Sequence, residues 1–157
     1  MLEGKVISAN DVQVVKLEGD IKIRFTEQAY EVQRHGAWID LRSVEDYEYK
    51  KGDFFYINLG VNIKVPKGYE GLLAPRSSMF KNYGLIQTNS VGVIEDNYCG
   101  NNDVWMLPVY ALKDGKITKG DRLCQFRTLK SMGHTHFTVV DDMEDCNRGG
   151  LGSTGKK

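Results

Sequence analysis

The chain has 157 residues, 41% of them hydrophobic and 27% charged, with 21 Lys and Arg balanced by 21 Asp and Glu. A domain of this size buries a sizeable core without disulfide or metal staples, so one folded domain is expected. Zero net charge gives no global field for nucleic acid, and no run of about 18 apolar residues or basic-then-apolar leader is present, so neither a nucleic-acid nor a membrane role is expected. Cys99, Cys124 and Cys146 are odd in number and lack CxxC spacing, which argues for reduced thiols in a cytoplasmic protein rather than a disulfide framework or zinc site.

In chain order, alternating or branched and aromatic segments predict strands at 5–7, 21–25, 54–59, 61–65, 70–74, 85–88, 105–111, 122–128 and 136–140. Turn signals separate most of them: Glu18-Gly19-Asp20, Lys51-Gly52-Asp53, Pro66-Lys67-Gly68, Lys113-Asp114-Gly115 and Lys119-Gly120-Asp121. Helical periodicity is not sustained, and the best helical candidate is a single turn at 77–81. Many short strands predict an all-β fold, a jelly-roll or barrel-like sandwich that limits exposed sheet edges. From about Asp141 acidic residues and then glycines replace apolar ones, so the expected division is a β domain over 1–140 and an arm over 141–157. Trp38 and Trp105 are expected in the core. His35, His134 and His136 have no metal-ligand spacing and are expected on exposed or strand faces.

Pro75-Arg76-Ser77-Ser78 is by itself a common turn. Its chemical reading is that Ser77 and Ser78 offer hydroxyls and backbone N–H groups where a helical turn begins, while Arg76 binds phosphate or braces a carboxylate. Downstream, Gly92-Val93-Ile94 is apolar and extended, and Glu95-Asp96-Asn97 makes a polar turn before Tyr98. A solvated hairpin tip has the same composition, but its co-occurrence with the serine turn points to nucleotide chemistry. The arm holds Gly150 to Lys156 in GxxxxGK spacing, yet no strand precedes it and no Ser or Thr follows the Lys, so a P-loop is rejected. What remains is glycine-rich backbone able to converge on an anion, with donors from Arg148, Ser153 and Thr154.

Read together, these segments resemble the trimeric deoxyuridine triphosphatase (dUTPase) family. Its five motifs are matched in order by Gly36-Ala37-Trp38-Ile39-Asp40-Leu41, Pro75 to Ser78, Asn89 to Gly100, Gly120-Asp121-Arg122-Leu123-Cys124-Gln125, and Arg148-Gly149-Gly150 to Gly155. The Trp-Ile-Asp-Leu-Arg run, the 83–90 segment and Asn101-Asn102-Asp103 resemble the Bacillus and phage branch. The resemblance implies a jelly-roll homotrimer hydrolysing dUTP to dUMP and pyrophosphate with Mg²⁺, its sites shared between subunits. It implies Glu95 as the general base, with Arg148 also catalytic. Backbone groups of the Asn89 to Tyr98 hairpin, at Asn89, Val93 and Ile94 among them, would read the uracil, and Tyr98 would pack under the deoxyribose. Arg76, Ser77, Ser78 and Gln125 would hold or brace the phosphates, and Arg148, Gly152, Ser153 and Thr154 would close over them. The metal would be held by phosphates and water, with Asp40 at most in its outer shell.

The sequence departs from the family in two places. Glu95 stands where the family has Asp, and Leu151 where many relatives carry an aromatic that stacks on the base, leaving Phe80, Tyr83 and Trp105 as candidates for that contact. Two rival readings are a catalytically weak nucleotide sensor acting on a protein partner, and a dCTP deaminase-like enzyme. The latter would need a strand-borne glutamate that 104–108 lacks.

Overall fold

The computed structural model describes residues 19–26, 29–30, 32–144 and 149. The predicted strand at 5–7 and the arm residues Arg148, Gly152, Ser153 and Thr154 lie outside the described residues, as do Leu151 and Cys146. Among the described residues the fold is almost entirely β, as the alternation predicts. The strands are β1 (Lys22–Phe25), β2 (Gln33–His35), β3 (Trp38–Arg42), β4 (Tyr47–Tyr49), β5 (Phe54–Asn58), β6 (Val61–Lys64) and β7 (Tyr69–Pro75). A single short helix α1 (Met79–Tyr83) follows, then β8 (Leu85–Gln87), β9 (Gly92–Ile94), β10 (Met106–Ala111), β11 (Gly115–Ile117) and β12 (Arg122–Lys130).

All pairings among the described residues are antiparallel. The largest sheet runs β2-β3-β12-β7-β9, and smaller sheets are β5-β10-β8, β1-β6 and β11-β4. Alternation puts Leu73, Cys124 and Phe126 of the large sheet and Ile57, Leu85, Leu107 and Val109 of the three-stranded sheet into one buried cluster. Trp105 lies at its centre, 1% exposed, with its ring edge-on to Phe126 at 5.3 Å between centroids. Gly71 is needed there, because a Cβ would stand 3.0 Å from the Trp105 ring.

Three expectations are corrected. Residues 136–140 form no strand: after β12 the chain runs on without sheet pairing, and Phe137 and Val139 are 86% and 95% exposed. Trp38 is only half-buried, with the Arg127 guanidinium 5.6 Å from its ring centre. Gly115 begins a strand, since its missing side chain lets the Tyr49 ring pack over it; a Cβ would meet the Tyr49 hydroxyl at 2.5 Å. Composition also hid β2, β3 and β4, because polar and charged residues interrupt their apolar alternation.

Candidate active site

Asp40 is the charge centre of the site. It sits in β3 with its side chain 2% exposed, and its Oδ2 lies 3.3 Å from Arg76 Nε and 3.3 Å from Arg122 Nη1. His35 Nε2 is 3.7 Å from the same oxygen and 3.0 Å from Arg122 Nη1. A buried carboxylate is tolerated only when paired, and here two guanidiniums face one oxygen. The pairing leaves a surplus of positive charge at the surface end of the cluster.

A bulge builds this cluster. Arg122 and Gln125 are three residues apart and would face opposite ways on a regular strand. The register between β12 and β3 shifts between Arg122 and Cys124, and Leu123 and Cys124 both turn inward. Arg122 and Gln125 are thereby brought to one side, Gln125 opposite Asp40 in register and its Nε2 donating to Pro75 O at 3.3 Å. Arg76 is anchored on β12 as well: its backbone N–H donates to Leu123 O at 2.9 Å and its Nη1 to Arg122 O at 3.4 Å.

The serine turn projects from this platform. Pro75 ends β7, Ser77 is exposed, and Ser78 precedes α1 without using its side chain as a cap. The helix is one turn long and stops at Gly84, whose φ of 66° an L-residue adopts with strain. A groove of about 380 Å³ beside it is lined by Arg76, Ser77, Phe80, Ile86, Gln87 and Ser90, among others.

The third segment occupies the sheet edge. Pairing of β9 with β7 sets Gly92 opposite Leu73 and Ile94 opposite Gly71. The Glu95 carbonyl accepts the Tyr98 N–H at 3.1 Å, closing the turn. Glu95 is exposed, whereas Asp96 turns away and accepts the Gly68 N–H at 3.1 Å. Of the two adjacent carboxylates, Glu95 is therefore the one left open to solvent. Tyr98 is 43% and Val93 61% exposed, Ile94 is half-buried and Asn89 is exposed.

Within one chain the structure joins Asp40, Arg76, Ser77, Ser78 and Gln125 but separates them from Glu95. Glu95 extends β9 past Gly71, five β7 residues from Pro75, a distance of roughly 16 Å at strand rise. Arg122 and His35 belong to the cluster although their residue types alone did not mark them. The signal for Arg122 was its place beside Asp121 in the fourth segment; for His35 there was none. Of the aromatics considered for stacking, Trp105 is excluded by burial. Tyr83 is half-buried; burial first, and then a hydrogen bond to Asp121, push its hydroxyl up to about 12. Phe80 is 56% exposed on the groove. The buried Cys124 thiol is pushed far up by desolvation, with the Asp40 charge adding to it, so it is no nucleophile.

Paired guanidiniums, hydroxyls and an open groove define a site for a small polyanion. Comparison with known proteins narrows this class. The dUTPase family model matches residues 30–155. Over 140 residues the chain is 49% identical to the SPbeta prophage-derived deoxyuridine 5'-triphosphate nucleotidohydrolase YosS of Bacillus subtilis, covering 87% of this chain and 99% of that protein. It is 32% identical over 121 residues to the deoxyuridine 5'-triphosphate nucleotidohydrolase of Thermobifida fusca, covering 76% of this chain and 67% of the relative. The fold is similar to that of the Staphylococcus bacteriophage 80alpha dUTPase G164S mutant with dUpNHpp, with a TM-score of 0.71 at 19% identity, over 87% of this chain and 98% of the other. The chain belongs to the dUTPase family.

Proposed function

We propose that the protein hydrolyses dUTP to dUMP and pyrophosphate by attack of water on the α-phosphorus, as a homotrimer whose sites are shared between subunits. Family membership and 49% identity to a deoxyuridine 5'-triphosphate nucleotidohydrolase support the activity. The observation that supports sharing is the separation of Glu95 from Ser77 along β7, too long for one α-phosphate to meet both within a chain.

In this reading Arg76 and Arg122, held by Asp40, set positive charge beneath the phosphates, and the Ser77 and Ser78 hydroxyls and Gln125 orient them. Glu95 of a neighbouring copy directs the water and takes its proton, and Tyr98 packs under the sugar where a 2′-hydroxyl would clash. The extra methylene of Glu95 extends its carboxylate by about an ångström, which lowers turnover if the attacking water is misaligned. Arg148, Gly152, Ser153 and Thr154 are assigned to closing over the phosphates, Arg148 stabilising charge in the transition state.

Mg²⁺ would neutralise and align the triphosphate when bound. The Asp40 carboxylate is covered and committed to Arg76 and Arg122, so the residues present fit a metal carried by phosphate oxygens and water rather than by a protein cage. Among the described residues no group of three metal-ligating side chains converges and no helix is long and apolar enough to cross a membrane. We place the protein in the cytoplasm.

The test is subunit mixing. Glu95→Gln and Ser77→Asp proteins, each inactive, are unfolded together and refolded as mixed trimers. With shared sites, random assembly pairs a native Ser77 with a native Glu95 in about a quarter of all sites, and turnover returns. With all residues drawn from one chain, no site regains both, and inactivity of the mixture overturns sharing. Comparable kcat/KM for UTP and dUTP would overturn the substrate assignment.

A further inference from the structure

Gln87 is a polar side chain in an inward-facing strand position. It ends β8 opposite Val109 and is only 8% exposed. Its Nε2 donates to Leu73 O at 3.0 Å and to Asn89 Oδ1 at 2.9 Å, while its Oε1 is buried without a partner among the protein's own groups. An unmet acceptor is destabilising, and an apolar residue here would avoid it. The geometry gives the amide something to do.

Donor logic fixes a chain of orientations. The Leu73 oxygen is a main-chain carbonyl and only accepts, so the Gln87 atom facing it is the NH₂. The second hydrogen of that NH₂ requires an acceptor, so Asn89 turns Oδ1 inward and Nδ2 away from Gln87. A Cβ on Gly92 would lie 3.6 Å from Asn89 Nδ2, which places that amino group over the bare glycine that opens β9. Gln87 and Ser90 also line the groove beside the serine turn of the same chain.

We infer that Gln87 is a positioning residue for base selection: it transmits the Leu73 carbonyl's orientation to Asn89, which is locked to present an N–H donor. The inference rests on the proposed reading that the Asn89–Tyr98 segment receives uracil. Uracil carries a carbonyl oxygen at position 4 where cytosine carries an amino group. A locked donor favours the first and opposes the second, whereas an asparagine able to flip serves both.

The experiment measures binding of the non-hydrolysable α,β-imido analogues of dUTP and dCTP by calorimetry, in wild type and variants whose thermal unfolding shows that they are folded. Gln87→Met should lower the uracil-over-cytosine preference about ten-fold or more by strengthening cytosine binding. In an Asn89→Ala background Gln87→Met should change the preference no further, which a general packing defect would not reproduce. Asn89→Asp, at an exposed position and offering acceptors only, should shift preference toward cytosine even if Gln87→Met fails to fold. A preference unchanged in folded Gln87→Met, equal effects in both backgrounds, or an unshifted Asn89→Asp overturns the relay alone. A wild type without preference overturns the base reading itself.

Discussion

At the scale of single residues, Glu95 and Asp96 show how two neighbouring carboxylates divide their roles. Asp96 is spent on the Gly68 amide and Glu95 faces outward. Glu95→Gln should therefore lower kcat by about 10²- to 10⁴-fold while dUTP still binds, because an amide cannot take the water's proton; parallel turnover and binding titrations check this. Retained turnover would move the base elsewhere. Asp40→Asn leaves Arg76 and Arg122 close together without their anion. Stability should fall by about 1–3 kcal/mol in urea unfolding, and kcat/KM with it.

Tyr83 adds a pH dependence. Its folded pKa is raised from 10.0 to about 12, chiefly by burial and then by Asp121, so the folded state holds this proton more tightly than the unfolded chain. The contribution is fully present below pH 10 and is lost as pH rises toward 12. Urea midpoints followed through that window should fall less steeply in Tyr83→Phe than in wild type.

At the scale of elements, α1 and the bulge in β12 do the positioning. The single turn of α1 cannot hold itself and depends on its left-handed stop, where the Gly84 N–H donates to Phe80 O at 2.8 Å. Gly84→Ala imposes a side chain at φ 66° and pushes on Lys113, whose Cγ would be 2.3 Å from the new Cβ. The crowded atoms run from Cγ to Cε of Lys113, so its whole side chain must turn aside, and backbone strain of about 1–2 kcal/mol is the least cost. The expected result is a matching loss of stability with KM for dUTP raised, since the serine turn leads directly into this helix. An unchanged KM would show that the turn is held by Arg76 and β12 alone.

At the scale of the whole molecule, the exposed apolar residues after β12 need a partner. Met132, Phe137, Val139 and Met143 are each at least 79% exposed in the isolated chain. Residues this apolar are covered in a stable assembly. Sedimentation should give a trimer mass, and Phe137→Asp with Val139→Asp should shift it toward monomer while the circular dichroism of the β body is retained. A double variant that stays trimeric would place the subunit contacts on other surfaces.

The local chemistry was written in the chain. Alternation named the strands that carry clean apolar faces, such as β5, β7, β10 and β12, because period-two burial leaves a period-two pattern. Proline, glycine and serine placed the turn after β7 and the short helix beyond it. β3 stayed hidden because Asp40 and Leu41 are adjacent and both buried, on opposite faces of the strand, and only tertiary pairing with two arginines makes the burial of Asp40 tolerable. The strand expected at 136–140 failed for the opposite reason: its apolar residues alternate, but among the described residues no neighbouring strand pairs with it. Residue types and their order along the chain establish which groups are available to handle a nucleotide. Which of them share a site depends on the folded arrangement, because a bulge at Leu123 turns Arg122 toward Asp40 and the run of β7 carries Glu95 away from Ser77, and neither strand register nor pairing partner is a local property of the chain.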